Sequence, residues 1–253
     1  MKIFAIGDLH LSFSMDKPMD VFGEKWRGHA EKIAASWRGQ VGPGDAVLLP
    51  GDISWAMRLR EAEADFAWLR ELPGRKVMIR GNHDYWWDTL KKMKEAFGDG
   101  FEFVQNNCVR CGCAAVAGSR LWNYPFVKWP HPSGENAALA ARGESAKKTA
   151  DRGVDDDKVR ASELARLQNS LGALPPDAPL KICLAHFPPV SAVPEPNPLT
   201  EMIAASGVKI CLYGHVHGLE VAPAAADCTI SGVRYLLVAA DYLDFAVRFV
   251  AEA

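Results

Sequence analysis

Lys181-Ile182-Cys183-Leu184-Ala185-His186 is nearly repeated as Lys209-Ile210-Cys211-Leu212-Tyr213-Gly214-His215, followed by Val216-His217. Each copy is a short apolar run of strand length that stops at a histidine. Three further runs are built the same way: Lys2 to Ile6 before Gly7-Asp8-Leu9-His10, Ala46 to Leu49 before Pro50-Gly51-Asp52, and Lys76 to Ile79 before Arg80-Gly81-Asn82-His83-Asp84. Continuous Val, Ile and Leu runs of this length predict strands buried on both faces, hence largely parallel sheets. In open α/β sheets ligands bind beyond the carboxyl ends of the strands, so the five polar clusters are expected along one edge.

Outward from these strands, helical spacing is clear in three places. Leu59, Ala62, Phe66 and Leu69 share one helix face before Pro73-Gly74. Trp86, Leu90, Met93 and Phe97 predict a helix from near Tyr85 to Gly98, with its positive end toward the Asn82-His83-Asp84 cluster. Leu164, Leu167, Leu171 and Leu174 follow the acidic start Asp155-Asp156-Asp157 and end at Pro175-Pro176. Residues 101–117 and 222–250 show no helical period and read as strands and turns. Two strand-rich halves with helices outside predict two facing mixed sheets in a single domain over 1–253. Residues 118–153, aromatic and proline-rich and then rich in Ala, Lys and Glu, are expected to form a lid or a substrate-facing excursion.

The totals narrow the function classes. A chain of 253 residues that is 49% hydrophobic is long enough for a well-buried core. A formal net charge of -2 gives no global attraction to nucleic acid or an anionic membrane, so any phosphate binding must be local. The start of the chain reaches Asp8 too soon for a signal peptide, and no run approaches the roughly 18 apolar residues of a membrane span; a cytoplasmic location is expected. Six cysteines in mostly apolar surroundings read as free thiols of a reducing compartment. Cys108, Cys111 and Cys113 resemble half a zinc site, but no second cysteine pair or nearby histidine completes it.

The strand-end residues carry the chemistry. Asp8 and His10 are two apart, so an extended strand would aim both side chains the same way. Carboxylate and imidazole together favour first-row metals over magnesium or calcium. An amide oxygen at Asn82 ligates without adding negative charge beside a phosphate, and Asp52 has two oxygens with which to bridge a pair of ions. Two ions about 3.5 to 4 Å apart would clamp a phosphoryl group and lower the pKa of a bridging water. His83 stands next to a ligand and is suited to protonate a leaving oxygen, with Asp84 fixing its tautomer. A lone histidine on an apolar run is ordinarily a core residue, but five of the seven histidines fall at strand ends in one ordered pattern.

That ordered set, D-x-H at Asp8 and His10, GD at Asp52, GNHD at 81–84, His186 and GHVH at 214–217, resembles the calcineurin-like metallophosphoesterase superfamily, in its bacterial phosphohydrolase branches. The resemblance implies an α-β-β-α sandwich. It implies that Asp8, His10, Asp52 and His217 hold one metal, that Asp52, Asn82, His186 and His215 hold the other, and that His83 is the general acid. Manganese is the expected metal, with iron or zinc as alternatives. GDISWAM and GNHD stand where the protein Ser/Thr phosphatase branch carries GDxxDRG and GNHE, which argues against protein dephosphorylation. The expected partner is a phosphate monoester or diester, with Arg80, Trp55, Asn123, Tyr124 and His131 as candidate substrate contacts. A nuclease would need a basic track that the sequence lacks, and a catalytically silent binding scaffold would have no reason to keep His83 with seven ligands.

Overall fold

The computed structural model describes residues 1–130, 156–218 and 221–253. Its strands are β1 (Lys2–Ala5), β2 (Ala46–Leu49), β3 (Arg75–Met78), β4 (Phe101–Phe103), β5 (Val109–Cys111), β6 (Ala114–Ser119), β7 (Leu180–Ala185), β8 (Ile210–Tyr213), β9 (Asp227–Ile230), β10 (Val233–Leu237) and β11 (Arg248–Glu252). One sheet runs β11-β1-β2-β3-β4, parallel from β1 to β4 with β11 antiparallel at the edge. The other runs β5-β6-β7-β8-β10-β9, parallel from β6 to β10 between antiparallel β5 and β9. The near-repeat pairs with itself in register, Ile182 beside Ile210, Cys183 beside Cys211 and Leu184 beside Leu212. His186 and His215 therefore emerge from adjacent strand ends.

Alternation along the strands divides the core into layers. Ile3 and Ala5, Ala46 and Leu48, and Ile182, Leu184 and Leu212 meet between the two sheets. Their neighbours Phe4, Val47 and Leu49 face one helical layer, and Cys183, Ala185, Cys211 and Tyr213 face the other. The result is an α-β-β-α sandwich. Each fully buried Leu or Ile contributes roughly 1.5–3 kcal/mol, so this alternation dominates the energetics of the fold.

The helices are α1 (His29–Gln40), α2 (Glu63–Arg70), α3 (Leu90–Phe97), α4 (Asp156–Gly172), α5 (Pro198–Ala205) and a short α6 (Pro223–Ala226). A 3-10 turn at Leu59–Ala62 leads into α2 and accounts for the early part of that periodicity. Helix α4, described from Asp156, buries Leu167 and Leu171. Helices α1 and α5 go beyond the sequence-based expectation, and α6 corrects the reading of 222–250 as strands and turns alone, Pro223 opening a single helical turn; α1 buries Ala30, Ile33, Ala34 and Trp37, and Asn197 caps α5 by accepting from Leu199 N and Thr200 N.

The helix expected from near Tyr85 starts instead at Leu90, with Thr89 as its cap. Residues 85–88 turn because Tyr85 N donates to the His83 carbonyl and the Trp86 indole donates to Asp84. The start of α3, and with it its positive end, is therefore five residues further along the chain than expected. Of the expected lid at 118–153, Gly118 and Ser119 belong to β6, and residues 131–153 lie outside the described residues.

Candidate metal centre

All five polar clusters leave the carboxyl ends of β1, β2, β3, β7 and β8 and are knitted by main-chain bonds. Asp8 N donates to the Gly51 carbonyl and His10 N to the Asp52 carbonyl, both at 3.0 Å, and Gly214 N donates to the His186 carbonyl at 3.2 Å. The chain does not stay extended here: Asp8, His10, Asp52 and His215 adopt positive φ values of 54°, 48°, 53° and 68°. A left-handed conformation at a non-glycine residue costs on the order of 1–3 kcal/mol and persists where the surroundings over-determine it. Asp8 and His10 thus come together through left-handed turns, and the expected extended strand is corrected. Gly81 and Gly214 must lack a Cβ because one would collide with Asp52 and with the Asp8 carboxylate, respectively.

Ligand atoms of Asp8, His10 and His217 lie within 4.8 Å of one another, as do those of Asp8, Asp52 and His186. Asn82 Oδ1 is 2.7 Å from His186 Nε2 and 2.9 Å from His215 Nδ1. His186 Nδ1 donates to the Pro50 carbonyl at 3.0 Å, which fixes the tautomer and leaves the Nε2 lone pair facing Asn82 Oδ1 and, at 3.4 Å, Asp52 Oδ2. Asp52 Oδ2, His10 Nδ1 and His10 Nε2 are buried without a hydrogen-bond partner among the described residues. Buried polar atoms left without a partner are costly, and a cation that takes up the acceptors among them removes that cost. The donor set of carboxylate, amide oxygen and imidazole fits first-row divalent ions.

The electrostatics agree. Burial raises Asp8 well above the ordinary carboxylate range, reinforced by Asp52, Asp241 and Asp84. Burial, and then Asp52, pushes Asp84 up to about 7. Burial holds His10 well below its usual value, with His217, His83, His186 and His29 adding repulsion. Groups of both kinds are crowded toward their neutral forms, the signature of a site built around positive charge that side chains do not supply.

His83 stands beside this cluster. Its N–H donates to Asp52 Oδ1 at 2.8 Å, and its ring lies 4.3 Å from the Trp55 ring and 5.6 Å from His10, centroid to centroid. Trp55 also stacks on His10 at 5.0 Å, so it walls the centre. Asp84 has a different task from the one expected: its carboxylate accepts from Ile53 N, Ser54 N, Gly81 N and the Trp86 indole, not from the His83 ring. It ties the Asp52 loop to the Asn82 loop. Arg80 donates to the Asp84 carbonyl at 3.2 Å. Tyr124 packs in the apolar cluster with α4 and donates to the Arg160 carbonyl, whereas Asn123 is exposed and accepts from the Arg160 side chain through its main-chain carbonyl. His131 lies outside the described residues. Cys111 is buried in β5 and Cys108 donates to the Ala173 carbonyl, in keeping with structural thiols.

Asp241 went unread in the sequence. It is buried, accepts from Gly218 N at 2.7 Å and raises Asp8. The same signal marks it, since the apolar run from Tyr235 to Ala240 ends in this aspartate. Trp26, from the turn before α1, and His29, its first residue, join the centre, with Trp26 edge-on to His10 at 5.9 Å; no strand-end pattern announces them.

A family model described as calcineurin-like phosphoesterase matches residues 1–219. The Gene 66 protein of Mycobacterium phage L5 is 32% identical over 77 residues, 30% of this chain and 37% of the phage protein. That of Mycobacterium phage D29 is 43% identical over 61 residues, 23% of this chain and 30% of its own length. The chain thus spans about a third of the length of the curated relatives it matches. Among solved structures, phosphopantetheinyl hydrolase from Mycobacterium tuberculosis shares the fold, with a TM-score of 0.59 and 16% identity over 100% of this chain and 96% of that one.

Proposed function

Because the chain belongs to the calcineurin-like phosphoesterase family, we propose that it hydrolyses a phosphate monoester or diester at the strand-end centre, with His83 as general acid. The proposal makes it a metal-dependent phosphoesterase, the activity its family is described by, and assigns the residues that do the work. Asp8, His10, Asp52 and His217 would hold one ion and Asp52, Asn82, His186 and His215 the other, with manganese the first choice and iron or zinc next. When bound, such ions neutralise the phosphoryl oxygens and make water nucleophilic at neutral pH. The observation that carries the assignment is the buried, unpartnered set of His10 Nδ1, His10 Nε2 and Asp52 Oδ2.

The chain's own residues do the rest. Asp84 braces the Asp52 and Asn82 loops, so the donor atoms are fixed before substrate arrives. Trp55 and Trp26 cover His10 and keep bulk water from it. His83, held at its main chain by Asp52, delivers a proton to the leaving oxygen. In this reading residues 1–253 act as one domain in the cytoplasm; among the described residues no helix is long and apolar enough to cross a membrane.

The test is elemental analysis of the purified protein together with turnover of p-nitrophenyl phosphate and bis-p-nitrophenyl phosphate in manganese. Two metals per chain and hydrolysis of at least one ester are expected, with Asp52→Asn losing both metal and turnover. Two bound metals and no turnover of either would point to a binding scaffold and overturn the proposal.

A further inference from the structure

Beside the proposed centre, the ends of β3, β4 and β6 and helix α4 enclose a cleft of mixed lining, with Trp87 and Val104 on its apolar side and Arg80, Arg120, Glu163 and Arg166 as its charged groups. Its position follows from the chain. Arg80 stands two residues before Asn82, and the Arg120 carbonyl accepts from His186 N and Phe187 N at 3.2 and 2.9 Å. The cleft thus borders the strand ends that carry Asn82 and His186.

The charges do not balance. Among the described lining residues there are three guanidiniums and one carboxylate. Glu163 is buried and already committed: it accepts from Ser119 Oγ at 2.9 Å and from Arg120 Nη2 at 3.1 Å, and it lies 3.7 Å from Arg166 Nε. Arg80 donates its Nε to a carbonyl, which takes no charge away. Arg120 is backed by the Trp122 ring at 4.7 Å, only 13% of its side chain is exposed, and its Nε is buried without a hydrogen-bond partner, as is Arg166 Nε. Arg80 and Arg166, both half-buried, set like charge beside the nearly buried Arg120, which is unfavourable unless an anion completes the set. Guanidinium forks match phosphate oxygens in pairs, a geometry a lysine cluster lacks.

We propose that this cleft binds a second phosphate of the substrate, so that the enzyme acts on compounds carrying another phosphate group beside the phosphoester that is cut. The proposal rests on the phosphoesterase reading above for the word substrate, but the anion site itself does not need it.

Two measurements separate these. The first is calorimetric titration of metal-free protein with inorganic phosphate. Without metal the centre is crowded with aspartates and repels anions, so binding reports the arginine cleft. Arg166→Gln leaves the buried Ser119–Glu163–Arg120 contacts in place and is expected to weaken phosphate about tenfold, the fold-change of one charge-assisted hydrogen bond. Glu163→Gln removes the competing carboxylate while keeping an amide for Ser119 and is expected to tighten it. No phosphate binding, or binding indifferent to both substitutions, overturns the site. The second measurement compares kcat/KM in manganese for matched nucleotides carrying one and two phosphates. The wild type is expected to favour the two-phosphate member through KM, and Arg166→Gln to reduce that preference about tenfold. Equal KM values in the wild type, or a preference unchanged by the substitution, overturn the proposal. If neither nucleotide nor any simple ester is hydrolysed while Arg166-dependent phosphate binding persists, the phosphoesterase reading fails and the anion site stands.

Discussion

At the scale of single residues, His83 and Gly214 carry the sharpest expectations. His83 touches the centre through its main chain and its ring neighbours, so His83→Gln should retain metal while losing rate. The loss is expected to be about 10²–10⁴-fold on esters with poor leaving groups and much smaller on p-nitrophenyl esters, because only the former need a proton at departure. Equal losses across a leaving-group series would sink the acid role. Gly214 is required by the approach of Asp8: a Cβ there would run into the carboxylate. Gly214→Ala is expected to lose metal, read by elemental analysis, with the circular dichroism of the fold retained. The proposed ligands were legible as residue types because a ligand at a strand end leaves its trace in the sequence. Asp84 was legible in identity but not in task. An aspartate after a histidine says nothing about the four donors, from three separate segments, that converge on its carboxylate.

At the scale of elements, the five strands that end in a polar cluster match their expected bounds within about a residue, the other six have no bounds in the sequence pattern, and the helix after Asn82 begins five residues later than its periodicity implies. Trp86 fits the helical spacing of Leu90, Met93 and Phe97, yet its indole is held by Asp84 in a turn, a tertiary hydrogen bond that outweighs local propensity. The edge of the molecule offers an electrostatic test at this scale. Asp227 on β9 accepts from Arg234 on β10 and from Arg248 on β11, so one carboxylate joins the two sheets. The Arg234 hydrogen bond, then its charge and those of Arg248, hold the Asp227 pKa below its ordinary value. A carboxyl group with a depressed folded pKa stabilises above its unfolded value and loses that contribution as pH falls through the folded one. Asp227→Asn is therefore expected to cost up to about 1 kcal/mol at pH 7, a modest figure because the group is partly exposed. Denaturant unfolding should show the deficit shrinking as the pH falls below about 4. A deficit that persists in acid would assign it to packing instead.

At the scale of the whole molecule, the centre joins the sheets: β1, β2 and β3 supply it from one and β7 and β8 from the other. Metal held by both sheets binds the native state alone, so its removal should lower stability through linkage. Excess chelator is expected to lower Tm by on the order of 5 °C or more, following from about 2.7 kcal/mol per site at a hundredfold excess over Kd. Readdition of manganese should restore it, and a Tm indifferent to chelator would contradict a two-sheet metal centre. The sequence by itself determined the layers and nominated the proposed donors, because period-two burial and strand-end chemistry are properties of short stretches of chain. Only the tertiary structure decided how the donors meet: left-handed turns at Asp8, His10, Asp52 and His215, Asp241 and the Trp26–His29 wall around them, and the arginine cleft beside them. Each of these depends on residues far apart in the chain brought together by packing, where the cost of a strained turn or a crowded charge is borne by the whole fold.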